Sequence, residues 1–361
     1  MKNPFVTNGY VSPEYFCDRE KETAKIVSLL TNENNIALIS PRRLGKTDLL
    51  RHCFGQPEIK EHYHTFIIDI YATSSVRDFV NVFGKAVLDE LRPKGKSVWG
   101  TFLNVLASLR SEITFDMNGQ PTWGIGLGAI TNPSATLDEI FSYLNNAGKP
   151  CLIAIDEFQQ ITKYADDPNI EAALRTHIQR CSNAHFVFSG SHRHLMGAMF
   201  TSPARPFYQS VTLINLPPIS VDKYAEFCLR HFERASKHLD TLVVTELYER
   251  FNGITSYMQK VMNILFSMTG TGEICIPSMI DTAINDLLDF SADTYDALLY
   301  QMPEKQRIVF MAIAAEGKAK AISSGDFVRK YKLQSASSVS SAVKGLLENC
   351  LLYTSPSPRD S

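Results

Sequence analysis

The segment Ser40-Pro41-Arg42-Arg43-Leu44-Gly45-Lys46-Thr47 constrains the fold more than any other stretch. It follows the apolar run Ile36-Ala37-Leu38-Ile39 and precedes Asp48–Phe54, where Leu49, Leu50 and Cys53 recur at helical spacing. Strand, loop and helix in that order form the setting in which backbone N–H groups at a helix N-terminus cradle a phosphate. In such a loop the lysine reaches the β/γ oxygens and the hydroxyl holds Mg²⁺, roles that fall here to Lys46 and Thr47. The first position carries Ser40 in place of glycine, so the turn has to tolerate a Cβ. The competing reading is an ordinary strand-to-helix turn with an incidental Gly-Lys-Thr.

A second stretch favours the phosphate loop. Cys151-Leu152-Ile153-Ala154-Ile155 is apolar without alternation, as a strand buried on both faces of a parallel sheet should be, and it ends in Asp156-Glu157. An acidic pair after a strand is by itself most often a helix cap. Beside a phosphate loop on another strand, Asp156 is placed to hold the water shell of Mg²⁺, and Glu157 to orient or deprotonate the water that attacks a γ-phosphate.

The rest of the chain supplies the setting. Its 361 residues suggest two or three domains, and 44% apolar and 20% charged residues with a net charge of −2 give no broad attraction to nucleic acid or membrane. No eighteen-residue apolar run and no leader-like N-terminus are present, so a cytoplasmic location with no membrane partner is expected. Seven scattered cysteines without a Cys-x-x-Cys pair indicate neither a disulfide framework nor a zinc site.

Taken in order, an aromatic lead-in reaches Phe16-Cys17-Asp18-Arg19, and Phe16 and Arg19 are candidates to pack beside an adenine; Phe16 serves equally well as a staple for the helix that follows. Further strands are expected at His64–Tyr71, His185–Phe188 and Val211–Ile214, and a hairpin around an Asn118-Gly119 turn. Asp69 reads as a solvated strand-end carboxylate or a partner of the metal site, and the pairs His62/His64 and His192/His194 as packing or surface histidines. Ser191, after the fourth strand, is placed to contact the attacking water or the γ-phosphate. Arg205, in a proline-constrained loop, can neutralise transition-state charge in its own subunit or a neighbouring one, or else simply pack on Phe207 or Tyr208.

Residues 220–300 are mostly helical in pattern and read as a lid. From Pro303, three short helices suggest a helix-turn-helix or winged-helix unit, and residues 303–352 carry eight Lys/Arg against four Asp/Glu, modest support for weak DNA contact. Arg329, Lys330 and Lys332 are the candidates to meet phosphates.

These pieces together resemble the archaeal-type P-loop ATPases of the AAA+/STAND group, including bacterial relatives. The resemblance rests on Asn3-Pro4-Phe5, Phe16–Glu20, Ser40–Thr47, Ile155–Gln159, Ser189-Gly190-Ser191 with Arg193, and Arg205-Pro206-Phe207-Tyr208. It implies an ATP-binding core, a helical lid and a C-terminal winged helix. One departure is Gly253-Ile254-Thr255 where the family has Gly-x-Pro, which puts coupling of the lid to ATP in question. Another is the Pro/Ser-rich end Tyr353–Ser361, expected to be a disordered tail foreign to the fold, with the natural chain continuing differently after about Leu352.

The expected fold is therefore α/β: a P-loop parallel-sheet core over 1–219, a lid over 220–300 and a winged-helix-like unit over 301–352. The leading functional expectation is an Mg²⁺-dependent ATPase acting as a switch or motor, as a homo-oligomer or with a protein partner. Its rivals are a nucleotide-gated DNA- or protein-binding module with negligible turnover and, more distantly, a kinase.

Overall fold

The computed structural model describes residues 2–91, 113–115, 121–123, 132–317, 319–348 and 351–352. Five parallel strands form the central sheet: β1 (Ile36–Ile39), β2 (His64–Asp69), β5 (Cys151–Asp156), β6 (Ala184–Gly190) and β7 (Thr212–Asn215), in the order β2-β5-β6-β1-β7. Strands β3 (Ile113–Phe115) and β4 (Pro121–Trp123) pair antiparallel as a separate hairpin. The Asn118-Gly119 turn expected to join them lies outside the described residues.

Every residue of the three inner strands β1, β5 and β6 is buried, which explains the unbroken apolar runs Ile36–Ile39 and Cys151–Ile155. Alternate side chains still go to opposite faces. Ala37, Ile39, Ile153, Ile155, Phe186 and Phe188 join the larger core. Ile36, Leu38, Leu152, Ala154 and Val187 join a second one, built with Ile26 and Leu30 of helix α1 (Glu20–Thr31) and Leu49 and Leu50 of helix α2 (Lys46–Phe54). In the larger core Phe158, Phe188, Phe200 and Phe207 interlock, with centroids 4.4 Å apart for Phe158–Phe188 and 5.4 Å for Phe158–Phe207.

Residues 1–283 form one compact unit and 284–361 another. In the first, helices Val221–Arg234, Thr241–Phe251 and Thr255–Met268 follow the sheet. The N-terminal segment is fastened to them. Phe5 is fully buried among Phe227, Phe232 and Phe266; the Asn3 amide donates to Asn263 O, and the Asn263 amide donates to Phe5 O. In the second unit, helices Glu304–Glu316, Gly325–Lys330 and Ala336–Glu348 enclose a small core of Val309, Phe327, Leu333, Val339 and Leu346. The tail 353–361 lies outside the described residues. No described helix is long and apolar enough to cross a membrane.

The turn between helices Thr241–Phe251 and Thr255–Met268 requires glycine. Gly253 has φ +69°, and a Cβ there would lie 2.9 Å from both Pro218 and Tyr248. Gly253→Ala is expected to destabilise the unit by about 1–3 kcal/mol, through left-handed backbone and overpacking together, measurable as a lower urea midpoint.

Candidate functional site: the carboxyl edge of the sheet

Parallel register brings the C-terminal ends of β1, β5 and β6 to one edge, where open α/β sheets bind ligands. A cleft of about 370 Å³ opens there, lined by the phosphate loop, by Asp156 and Glu157, by the aromatic lead-in and by the start of helix Thr255–Met268.

The loop leaves β1 with Ser40 N–H donating to Gly190 O across the sheet, 3.3 Å. The left-handed positions are Arg43 (φ 69°) and Gly45 (φ 83°), not Ser40, so the missing glycine costs this loop no backbone strain. Lys46 opens α2 and is only 7% exposed; burial pushes its ammonium below the ordinary lysine value, against the opposing pull of Asp156 and Glu157. Thr47 Oγ1 donates to Asp156 Oδ2 at 2.5 Å, joining loop and acidic strand across 109 positions of sequence.

Glu157 stands at φ 56°, an unusual conformation for a residue with a side chain and one that functional sites retain. Its Oε2 accepts from Ser191 Oγ (2.8 Å) and from Gln159 Nε2 (2.5 Å). Arg42 Nε donates to Ser191 Oγ at 3.3 Å, and the Arg42 guanidinium lies over the Tyr71 ring, 5.1 Å from its centroid. Asp69 is opposite Asp156 in the β2–β5 register; burial raises its carboxyl above the usual range, and the charges of Asp156 and Glu157 push the same way, against the N–H of Tyr71. His192 is lowered by burial, with Glu157 opposing.

At the other end of the cleft Phe16 stacks on His52 of α2, centroids 4.5 Å apart, and Tyr10 Oη hydrogen-bonds His52 Nδ1 at 3.0 Å. Phe16 packs on the second core and lines the cleft. Arg19 also lines the cleft, but its guanidinium is taken by Glu22 (2.8 Å) and by Pro217 O (2.7 Å). That arrangement makes Arg19 a brace between α1 and the segment after β7.

Two further sequence features find their contacts here. The first is the segment Gly253-Ile254-Thr255, which departs from Gly-x-Pro yet does not detach the helices from the loop. Ser256 N–H donates to Arg43 O at 3.1 Å, and the Arg43 guanidinium covers Tyr257 at 4.9 Å. The second is Arg205, which is not brought to the cleft of its own chain. It forms an ion pair with Glu171, whose carboxyl is raised by burial and drawn back down by Arg205. Glu171 belongs to the helix Ile170–Arg180 and Arg205 to the loop before β7, and neither lines the cleft.

The comparisons with known proteins agree with this geometry. A family model described as "ATPase domain predominantly from Archaea" matches residues 16–261. The chain belongs to this ATPase family. A second model, described as "Probable winged helix domain", matches residues 293–358. No curated protein matches. Among solved structures, this ATPase is similar to the Walker-type ATPase PABY2304 of Pyrococcus abyssi, with TM-score 0.61 at 16% identity, over 96% of this chain and 93% of that one. It is also similar to the ORC2 protein of Aeropyrum pernix, solved as ADPNP–ADP complexes, with TM-score 0.59 at 13% identity over 98% and 91%. The ORC1 protein of the same organism, in complex with DNA, gives 0.55 at 14% over 93% and 84%. At these identities the likeness shows a shared fold.

Sequence reasoning missed Ser256 and Gln259, which line the cleft, and His52 and Gln159, which contact its lining residues Phe16 and Glu157. His52 is on a different face of α2 from Lys46, so periodicity does not link it to the loop. The others approach through tertiary contacts that leave no local pattern.

Proposed function

We propose that the chain binds ATP with Mg²⁺ and hydrolyses it, acting as a molecular switch or motor-like ATPase. The observation that carries this is the contact of Thr47 Oγ1 with Asp156 Oδ2 beside buried Lys46, with Glu157 next in sequence. Hydroxyl and carboxylate oxygens are hard donors that suit Mg²⁺, and Thr47 and Asp156 would hold it, directly or through its water. When bound, the ion neutralises charge on the β- and γ-oxygens. The loop from Ser40 through Gly45 supplies backbone donors, and Lys46 supplies a fixed cation. Phe16, stacked on His52, offers an apolar face to the adenine. Glu157 takes a proton from the attacking water, while Ser191 and Arg42 hold that edge of the site in place. With this reading goes a division into a core over 1–219, a lid over 220–300 and a winged-helix-like unit over 301–352.

Lys46→Ala is expected to weaken ATP binding itself. Glu157→Gln is expected to keep binding and lose turnover by about 10²-fold or more. Binding measured with a fluorescent ATP analogue, alongside phosphate release, separates the two; wild-type turnover in Glu157→Gln contradicts the mechanism.

Arg205 contributes to the reaction only by reaching a neighbouring subunit's nucleotide. Arg205→Ala should then lose turnover and recover it on mixing with Lys46→Ala, because a mixed interface can pair an intact loop with an intact arginine. A protein that stays monomeric with ATP on a sizing column and shows no complementation removes Arg205 from the mechanism.

The second reading is a nucleotide-gated DNA-binding module, favoured by the winged-helix match and by the similarity to a protein solved with DNA. Its contacts are fewer than the charge count suggests. Arg329 pairs with Asp326 and Lys330 with Glu316, each at 2.5 Å, while Lys332 is exposed. Affinity for duplex should therefore be weak and fall with salt at a slope of roughly −0.9 per phosphate neutralised. Titration of labelled duplex at low salt tests it: no binding, or binding indifferent to Lys332→Ala, speaks for a protein-docking unit.

A further inference from the structure

We propose that Gln159 is a positioning residue for hydrolysis, holding the Glu157 carboxylate so that one chosen oxygen meets the attacking water. This rests on the reading of Glu157 as the base. Gln159 is 3% exposed and gives its Nε2 to Glu157 Oε2 at 2.5 Å. Ser191 Oγ donates to the same oxygen from the β6 side. With both donors converging on Oε2, Oε1 takes no hydrogen bond from the described residues, and it is the oxygen left to act on water.

The environment of Gln159 is costly in a way that stability alone does not explain. Its own Oε1 is buried without a partner among the described residues. Leaving a buried acceptor unsatisfied destabilises a fold, and an apolar side chain of the same length would remove that penalty. Space has nevertheless been kept for the amide. A Cβ on Gly190 would stand 2.3 Å from Gln159 Oε1 and 2.6 Å from Met196, so β6 ends in the one residue type that admits them. The backbone around it is fixed as well: Thr162 Oγ1 donates to Gln159 O at 2.8 Å, and Glu157 holds its left-handed conformation immediately before the 3₁₀ turn Phe158–Lys163. A buried amide with one oriented donor, one orphaned acceptor and a glycine opposite is arranged around the donor.

The test is Gln159→Met in the full chain, assayed for melting temperature, affinity for a non-hydrolysable ATP analogue, KM and kcat. Expected are a melting temperature equal to or above wild type, unchanged affinity and KM, and kcat lower by about ten- to a hundredfold, the loss that misplacement by an ångström brings. A structural strut gives a different signature, with melting temperature and kcat falling together; that result, or unchanged kcat, overturns the proposal. Gln159→Glu is the second variant. It keeps the length but sets an acceptor against Glu157, and should lose at least as much kcat as Gln159→Met. Glu157→Gln measured in parallel separates the two layers. If it turns over normally, both the base and its positioner fall. If it is inactive while Gln159→Met is normal, only the role of Gln159 falls. In the double variant, Gln159→Met should add nothing to the loss caused by Glu157→Gln.

Discussion

The rest of the structure depends on one strand placement: β6 lies between β1 and β5. That insertion puts three strand ends in a row on one edge, so the phosphate loop, Ser191 and the acidic pair come from three well-separated parts of the sequence. Had β5 paired directly with β1, Ser191 and Gly190 would have no place between Arg42 and Glu157. The small side chains at the end of β6 matter for the same reason. They let a hydrogen-bonded chain run from Arg42 through Ser191 to Glu157 without lifting the loop off the sheet.

Most of the fold was legible because its inner strands are buried on both faces. Ile36–Ile39 and Cys151–Ile155 announce themselves as apolar runs, and each is followed at once by the groups that mark the site. The edge strands were less sharply bounded, since β2 and β7 are only partly covered and their composition is mixed. The aromatic lead-in was visible, and its Phe16 both packs on the second core and lines the cleft.

What the sequence concealed has physical reasons. The contact of Ser256 with Arg43 is made by a backbone N–H, which leaves no mark in the side-chain sequence. The partner of Arg205 is Glu171, in the helix Ile170–Arg180, and charge alone could not choose between that carboxylate and a phosphate. The pairing of Arg329 with Asp326, by contrast, is an i,i+3 contact on one helix face and could have been read from spacing; counting it would have trimmed the basic surface in advance.

The N-terminal segment has a mechanical consequence. Phe5 and Asn3 are anchored in the helices beyond the sheet, while Tyr10 is bonded to His52 of α2, so the chain from Phe5 to Tyr10 is a tether fixed at both ends. Five Cα steps extend at most about 17 Å, so the helices that hold Phe5 can lie no farther than that from the part of α2 that holds Tyr10. Val6, Thr7 and Gly9 line the mouth of the cleft along this tether. The same short span of chain thus sets the spacing between helix bundle and sheet and forms part of the cleft wall.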